Sequence, residues 1–222
     1  LKAEPLNVFS PFIDIYKAVL EMPSVMWQLF LVYLFQWYAM MCYWQNNSKS
    51  IALSVWNVTP KNTVGYEKAV EWNGLIGAFG FIVTFSIAFY LAKLAKKHGA
   101  KMIHFACLLL GAVSLLCFPM VQNQYMFFAV VIGYGIAWAS MMGIPYLMVV
   151  AVISKERYGV YMGIINMMIV IPMIIQNLSF GYILKNFLDN DPRQAISFAG
   201  VLLVIAALCT LLIKIKKTKL SE

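Results

Sequence analysis

"RYGVYMGIINMMIVIPMIIQN", residues 157–177, is a run of Ile, Met and Val interrupted by Gly159, Gly163, Pro172 and three amides, Asn166, Gln176 and Asn177. A stretch this long and this apolar matches the roughly 20 residues that carry a helix across a bilayer core of about 30 Å. The amides in it need partners other than lipid. At 100° per residue, Gly159, Asn166 and Asn177 fall within about 20° of one another, with Gly163, Val170 and Gly181 flanking them and Gln176 to one side. A stripe of small residues and amides, with Ile and Met elsewhere, marks a helix face that meets protein or water.

The remainder of the chain extends this reading. Of its 222 residues 62% are hydrophobic and 12% charged, and the mean hydropathy is +0.78, where a soluble domain carries about 25% charged residues. The chain reads as an all-α membrane protein. Apolar runs near 24–45, 70–92, 102–121, 125–152, 158–184 and 195–213 give six spans. The two longest contain Pro145 and Pro172, which predicts tilt, a kink or an end outside the hydrocarbon. Residues 1–23 form a linker with an amphipathic helix whose apolar face is Phe12, Ile15, Tyr16, Val19 and Leu20. Residues 24–213 are the bundle and 214–222 a basic tail. The chain opens on Leu1, and the expectation is of a piece of a longer protein.

Basic residues fix the expected orientation, because Lys and Arg gather on the cytoplasmic side of short loops. Lys93, Lys96, Lys97 and Lys101 lie between spans two and three, Lys155 and Arg157 between spans four and five, and Lys214, Lys216, Lys217 and Lys219 in the tail. With Lys2 and Lys17, twelve of the 17 basic residues are then inside, against Lys49, Lys61, Lys68, Lys185 and Arg193 outside. Both ends are expected in the cytoplasm, in a cell (inner) membrane. The net charge of +8 is explained by this distribution, and no aromatic-interleaved soluble domain offers a nucleic-acid site.

Chemistry within the spans is sparse. Cys42, Cys107, Cys117 and Cys209 show no metal-like spacing and read as packing residues. The histidines, His98 and His104, sit at the basic loop and the start of span three. No G-x-S-x-G or H-E-x-x-H occurs, and in "GYGIAW" Trp138 stands where a dinucleotide fingerprint needs its third Gly. No enzyme activity, cofactor or metal site is expected.

Polar stripes remain as the functional signal. On span one Gln36, Tyr43 and Asn47 align at spacings of seven and four within "YLFQWYAMMCYWQNN", with Trp37, Tyr38 and Trp44 around them. Span two aligns Asn73, Gly77, Gly80, Thr84 and Ala88; span four aligns Gly133, Ala137 and Ser140. Both read as close-packing or cavity faces. Spans three and six are greasy past His104 and belong at the lipid-facing periphery. The order polar, polar, greasy, repeated once, predicts two three-helix inverted repeats of a transporter, with a site near the midplane.

Four segments resemble the sucrose-transporter-like branch of the major facilitator superfamily, close to the glycoside-pentoside-hexuronide cation symporters. They are "YLFQWYAMMCYWQ", "GYEKAVEWNGLIGAFGFIVTFSIAFYLAKLAKKHGAK", "GIAWASMMGIPYLMVVAVIS" and "GVYMGIINMMIVIP". They are similar to that branch's seventh, eighth, tenth and eleventh helices, the second segment carrying a worn form of the superfamily's basic loop motif. The resemblance covers residues 22 to 214. It implies the carboxyl-terminal six-helix half of a twelve-helix major facilitator fold, working by alternating access with an amino-terminal six-helix partner. It also implies disaccharide symport coupled to a proton or another cation. Met173 follows Pro172 where plant relatives have Gln, and no charged residue lies deep within a span.

A neutral hydroxyl-rich solute fits a lining of amides and tyrosines, because each polar group left unpaired costs about 1–3 kcal/mol and neutral groups avoid the larger cost of a buried charge. The expected sugar contacts are Gln36, Trp37, Tyr43, Asn47, Ser140, Asn166 and Asn177, with Trp37 as a stacking platform. The alternative reading is a non-transporting six-helix unit whose amides only bind other helices, at about 0.6 to 2 kcal/mol each.

Overall fold

The computed structural model describes residues 10–214, and at residues 10–14, 63 and 155 the backbone alone. The linker's first nine residues and the tail beyond Lys214, with Lys216, Lys217 and Lys219, lie outside the described residues. Seven α-helices follow in order: α1 (Ser10–Leu20), α2 (Ser24–Trp56), α3 (Thr63–His98), α4 (Ala100–Cys117), α5 (Phe127–Val150), α6 (Tyr158–Phe187) and α7 (Pro192–Thr210). All but α1 are long and apolar enough to cross a membrane.

Helix length divides the bundle into two groups. Helices α2, α3 and α6 have 33, 36 and 30 residues, so at 1.5 Å per residue each reaches about 45–54 Å and must project beyond a 30 Å core. Helices α4 and α7 have 18 and 19 residues and are just long enough to span it. Hydropathy stopped the first span at 45 because Asn46, Asn47, Ser48 and Lys49 follow. The helix continues to Trp56 because Ser50, Ile51 and Ala52 are still buried on one side. Pro145 and Pro172 lie inside α5 and α6. Each withholds the N–H that would meet the carbonyl four residues earlier, at Met141 and Met168.

Helix ends follow local chemistry. The Asn62 side chain accepts the Gly65 N–H at 3.2 Å to cap α3, and Asp191 accepts the Arg193 N–H at 2.8 Å to cap α7. Burial pushes the Asp191 carboxyl up, but the Arg193 guanidinium and backbone N–H groups outweigh that and hold it below the usual carboxylate range. Gly99, at φ 91°, ends α3 and begins α4, making a sharp corner without a loop.

Packing respects the two triplets α2–α4 and α5–α7. The largest contacts are α2 with α7 and α5 with α4, which exchange under the triplet swap, as do α2 with α6 and α5 with α3; α4 packs on α7 between them. The symmetry breaks at α3, which packs on α2 and on α4 as well, whereas α6 makes no comparable contact with α5 or α7.

Helices α4 and α7, expected at the periphery, prove to be the packed back of the bundle. The outer surface of α4 is a narrow apolar stripe of Met102, Ala106, Leu110, Val113 and Cys117, and that of α7 is Val201 and Leu208. Their polar groups turn inward, with the Ser114 hydroxyl on the Val130 carbonyl at 2.7 Å and the Thr210 hydroxyl on Ala206 at 2.9 Å. Helices α3 and α6 are the most exposed instead.

The expected amphipathic helix is α1, which packs on α6. Ala18 and Met22 are buried there, whereas Tyr16 and Leu20 of the expected apolar face are exposed. Glu21 pairs with Arg157 at the start of α6. Of Phe12 only the backbone is described.

Candidate amide and aromatic face

Helix α2 carries the candidate site. Its unpacked side is a stripe at spacings of three and four, Trp27, Leu31, Leu34, Tyr38, Met41, Gln45 and Ser48, which are exposed or half-buried. Helix α6 flanks this stripe on one side and α5 approaches on the other.

The α6 side is hydrogen-bonded through amides. The Gln45 Nε2 donates to Asn177 Oδ1 at 3.0 Å and to Gln176 Oε1 at 3.4 Å, and Gln176 Nε2 returns a bond to Gln45 Oε1 at 2.9 Å. Asn177 also donates to the Met173 carbonyl at 2.8 Å. One turn below, the Ser179 hydroxyl gives its proton to the Ile175 carbonyl at 2.6 Å. Tyr38 is therefore the donor in its 2.8 Å contact with Ser179. Gln45 and Asn177 remain exposed, so their spare lone pairs and protons face outward.

The α5 side is aromatic. Tyr134 and Trp138 stack with centroids 6.3 Å apart and planes 10° from parallel. Trp44 meets Trp138 edge-on at 5.5 Å and donates its Nε1–H to the Tyr134 hydroxyl at 3.1 Å. Beneath them Trp37 is held by Trp44 at 6.4 Å and Trp138 at 5.8 Å. Such edge-on clusters are stable arrangements of ring quadrupoles. They fix the Trp44 ring, 37% exposed, as the outermost indole of the group.

The residues expected from the sequence fall in three places. Asn166 and Asn177 are exposed on α6, and Asn166 accepts a long bond, 3.4 Å, from the Tyr146 hydroxyl on α5. Asn47 is half-buried, its Oδ1 accepting the Ser48 N–H at 2.7 Å. Gln36, Trp37, Tyr43 and Ser140 are buried. Tyr43 packs against Tyr134 at 4.7 Å and Phe118 at 5.6 Å, and Ser140 bonds His104 Nδ1 at 2.8 Å. Gln36 is wholly buried, and among the described residues both its amide atoms lack a partner, as do the Tyr33 hydroxyl and the Trp37 Nε1.

Gln45, Trp44, Trp138 and Tyr134 were not among the expected residues. A signal for Gln45 existed, since Leu31, Tyr38 and Gln45 recur at intervals of seven, but it competed with the equally regular stripe of Gln36 and Tyr43, which the fold turns inward.

A recess of about 370 Å³ lies elsewhere, between the end of α2 and the α6–α7 turn, and includes Lys49, Thr59, Asp189 and Asn190. Asp189 and Asn190 are both left-handed, with φ 50° and 54°. Its walls are the last turns of α2 at Lys49 and Leu53, the start of α7 at Pro192 and the loops beside them, and the amide and aromatic groups described above are absent from it.

Comparison with known families gives one match: residues 29–221 fit the family described as Major Facilitator Superfamily. No curated protein and no solved structure matches the chain.

Proposed function

We propose, from the premise that the chain belongs to the major facilitator superfamily and is a multi-pass membrane transporter of that kind, that it carries a neutral sugar by alternating access. The six helices rock as one body against a second six-helix bundle, and the solute sits between them. A disaccharide taken up with a proton or another cation fits the sequence resemblance. The observation that carries this reading is the adjacency of Trp44 and Gln45 on α2. Successive residues offer a fixed indole and a spare amide at one point of an open face that has no buried charge. An indole covers the apolar face of a pyranose while amides exchange bonds with its hydroxyls. An anionic solute would call for a buried Arg or Lys.

Gln45, Asn166 and Asn177 are the direct hydrogen-bonding contacts. Trp37, Tyr43, Asn47 and Ser140 shape the layer behind them. Gln36 has two unpaired amide atoms to offer when the movement of the bundles uncovers it.

The test is sugar uptake by the whole transporter, scored against its abundance in the membrane. Gln45→Leu and Asn166→Leu should each lower uptake per molecule at least about tenfold, the effect of roughly 1.4 kcal/mol. Wild-type uptake per molecule in both variants overturns the assignment. Because Gln45 and Gln176 bond one another, a purely structural role for them has its own signature: uptake and abundance then fall in proportion.

A further inference from the structure

We infer that Gln176 is a positioning residue for the solute contact at Gln45: it never meets the solute itself, and it sets the plane and polarity of the amide that does. The inference rests on the reading of Gln45 as a direct contact and adds what holds that contact in place.

The Gln176 side chain is wholly enclosed by the described helices, at 0% exposed. Pro172, Gln176 and Phe180 recur every four residues as the buried edge of α6, and Asn177, about 100° further round, turns outward. From that edge Gln176 reaches α2 at Cys42 and Gln45, one turn apart. One Nε2 proton goes to Gln45 Oε1 at 2.9 Å and the other to Cys42 Sγ at 3.7 Å. Its Oε1 accepts Gln45 Nε2 at 3.4 Å. Both polar atoms of this buried amide are thereby occupied, as the cost of an unmade bond in the interior requires.

The direction of each bond follows from one backbone carbonyl. The Met173 carbonyl can only accept, so Asn177 offers it Nδ2, at 2.8 Å. Asn177 Oδ1 is then the atom facing Gln45, which donates Nε2 to it at 3.0 Å. Gln45 Oε1 is left for Gln176, and Gln176 must be the donor there. A single bond to Asn177 would let the Gln45 amide turn about it. The two bonds exchanged with Gln176 close a ring and remove that freedom. Both Nε2 protons of Gln45 are used within the cluster, and one lone pair on its Oε1 remains. Gln45 therefore meets the solute as an acceptor, and a sugar hydroxyl donates to it.

The experiment is uptake by the whole transporter over a range of sugar concentration, scored per molecule in the membrane. Sucrose, maltose and lactose are the probes, and the one that the wild type carries fastest is used throughout. Q176L, and Q176M as a second apolar filling of the same space, should each raise KM about three- to tenfold and leave the maximal rate per molecule unchanged. In a Q45L background the same changes should add nothing to KM, because Gln176 acts through Gln45 alone. A merely structural Gln176 lowers abundance or the thermal midpoint and leaves KM where it was. With Q45L impaired, a wild-type KM in both Gln176 variants, or a KM in Q45L/Q176L above that of Q45L, overturns this inference alone. Wild-type uptake by Q45L, or no uptake of any probe by the wild type, overturns the reading of Gln45 and this inference with it.

Discussion

The α3–α5–α4 seam and the α2–α6 seam are built from the same residue types to opposite ends. On the first, backbone meets backbone: a Cβ on Gly133 would stand 2.5 Å from the Leu110 carbonyl oxygen, and one on Gly135 would stand 2.7 Å from that of Gly80. The Thr84 hydroxyl lies between the Gly80 and Gly135 carbonyls at 3.0 and 2.9 Å. On the second seam, a Cβ added to Gly159 or Gly163 meets nothing within 4 Å, and side chains carry the contact between α2 and α6, Gln45 on Gln176 and Asn177 and Tyr38 on Ser179 and Phe180. Small residues in a membrane helix therefore have two meanings, close approach or an open face. Identical spacing in sequence does not separate them.

The contrast can be broken most forcefully at the glycines. Gly133→Ala should lower stability by about 1–3 kcal/mol, the usual penalty for overpacking, read as a fall in the thermal midpoint of the detergent-purified protein. Gly163→Ala should be neutral, or stabilising by up to about 1 kcal/mol. Equal effects from the two would dissolve the distinction. A second comparison sharpens it within α2 and α6. Gln176→Leu removes a bonded amide and should cost about 0.6–2 kcal/mol, whereas Gln36→Leu removes two unpaired buried atoms and should raise the midpoint. A fall on Gln36→Leu would mean that those atoms do have partners. The smallest loss of stability belongs to Thr84→Val, which keeps the shape but loses the shared hydroxyl. About 0.6 kcal/mol is expected, with α3–α5 packing preserved, and a loss as large as that of Gly133→Ala would make the hydroxyl, not the close approach, the main tie.

Much of the fold was legible because lipid leaves a chain few options. An apolar run must satisfy its own backbone, so hydropathy alone located the six long helices, and the repeated order of polar and greasy spans suggested two triplets without giving the contacts of α2 with α7 and α5 with α4. The outer turns of α2 were missed because Asn46 to Lys49 look like a loop, although helices longer than the bilayer project into water. The site was only partly legible. Periodicity gives the angle between two residues, not the direction in which the pair points. Gln36 and Tyr43 were correctly aligned with each other, yet they face the bundle interior, whereas Gln45, half a turn away, faces out. Asn166 and Asn177 were found on an exposed face because α6 is packed on one side alone. The greasiness of α4 and α7 was read as lipid exposure, although much of it is buried, α4 against α5 and α7 and α7 against α2 and α4.

Helix α6 is tied at its start by the Glu21–Arg157 pair beside α1 and toward its far end by Gln45 of α2, which bonds Gln176 and Asn177. Between those fixings it rests on side chains alone, and at Pro172 it lacks one rung of its ladder. A beam tied at two points and weakened between them bows instead of sliding. Asn166 and Asn177 sit on either side of the weak point, so a bend at Pro172 would set the gap between these two amides, as the screw of a caliper sets its jaws.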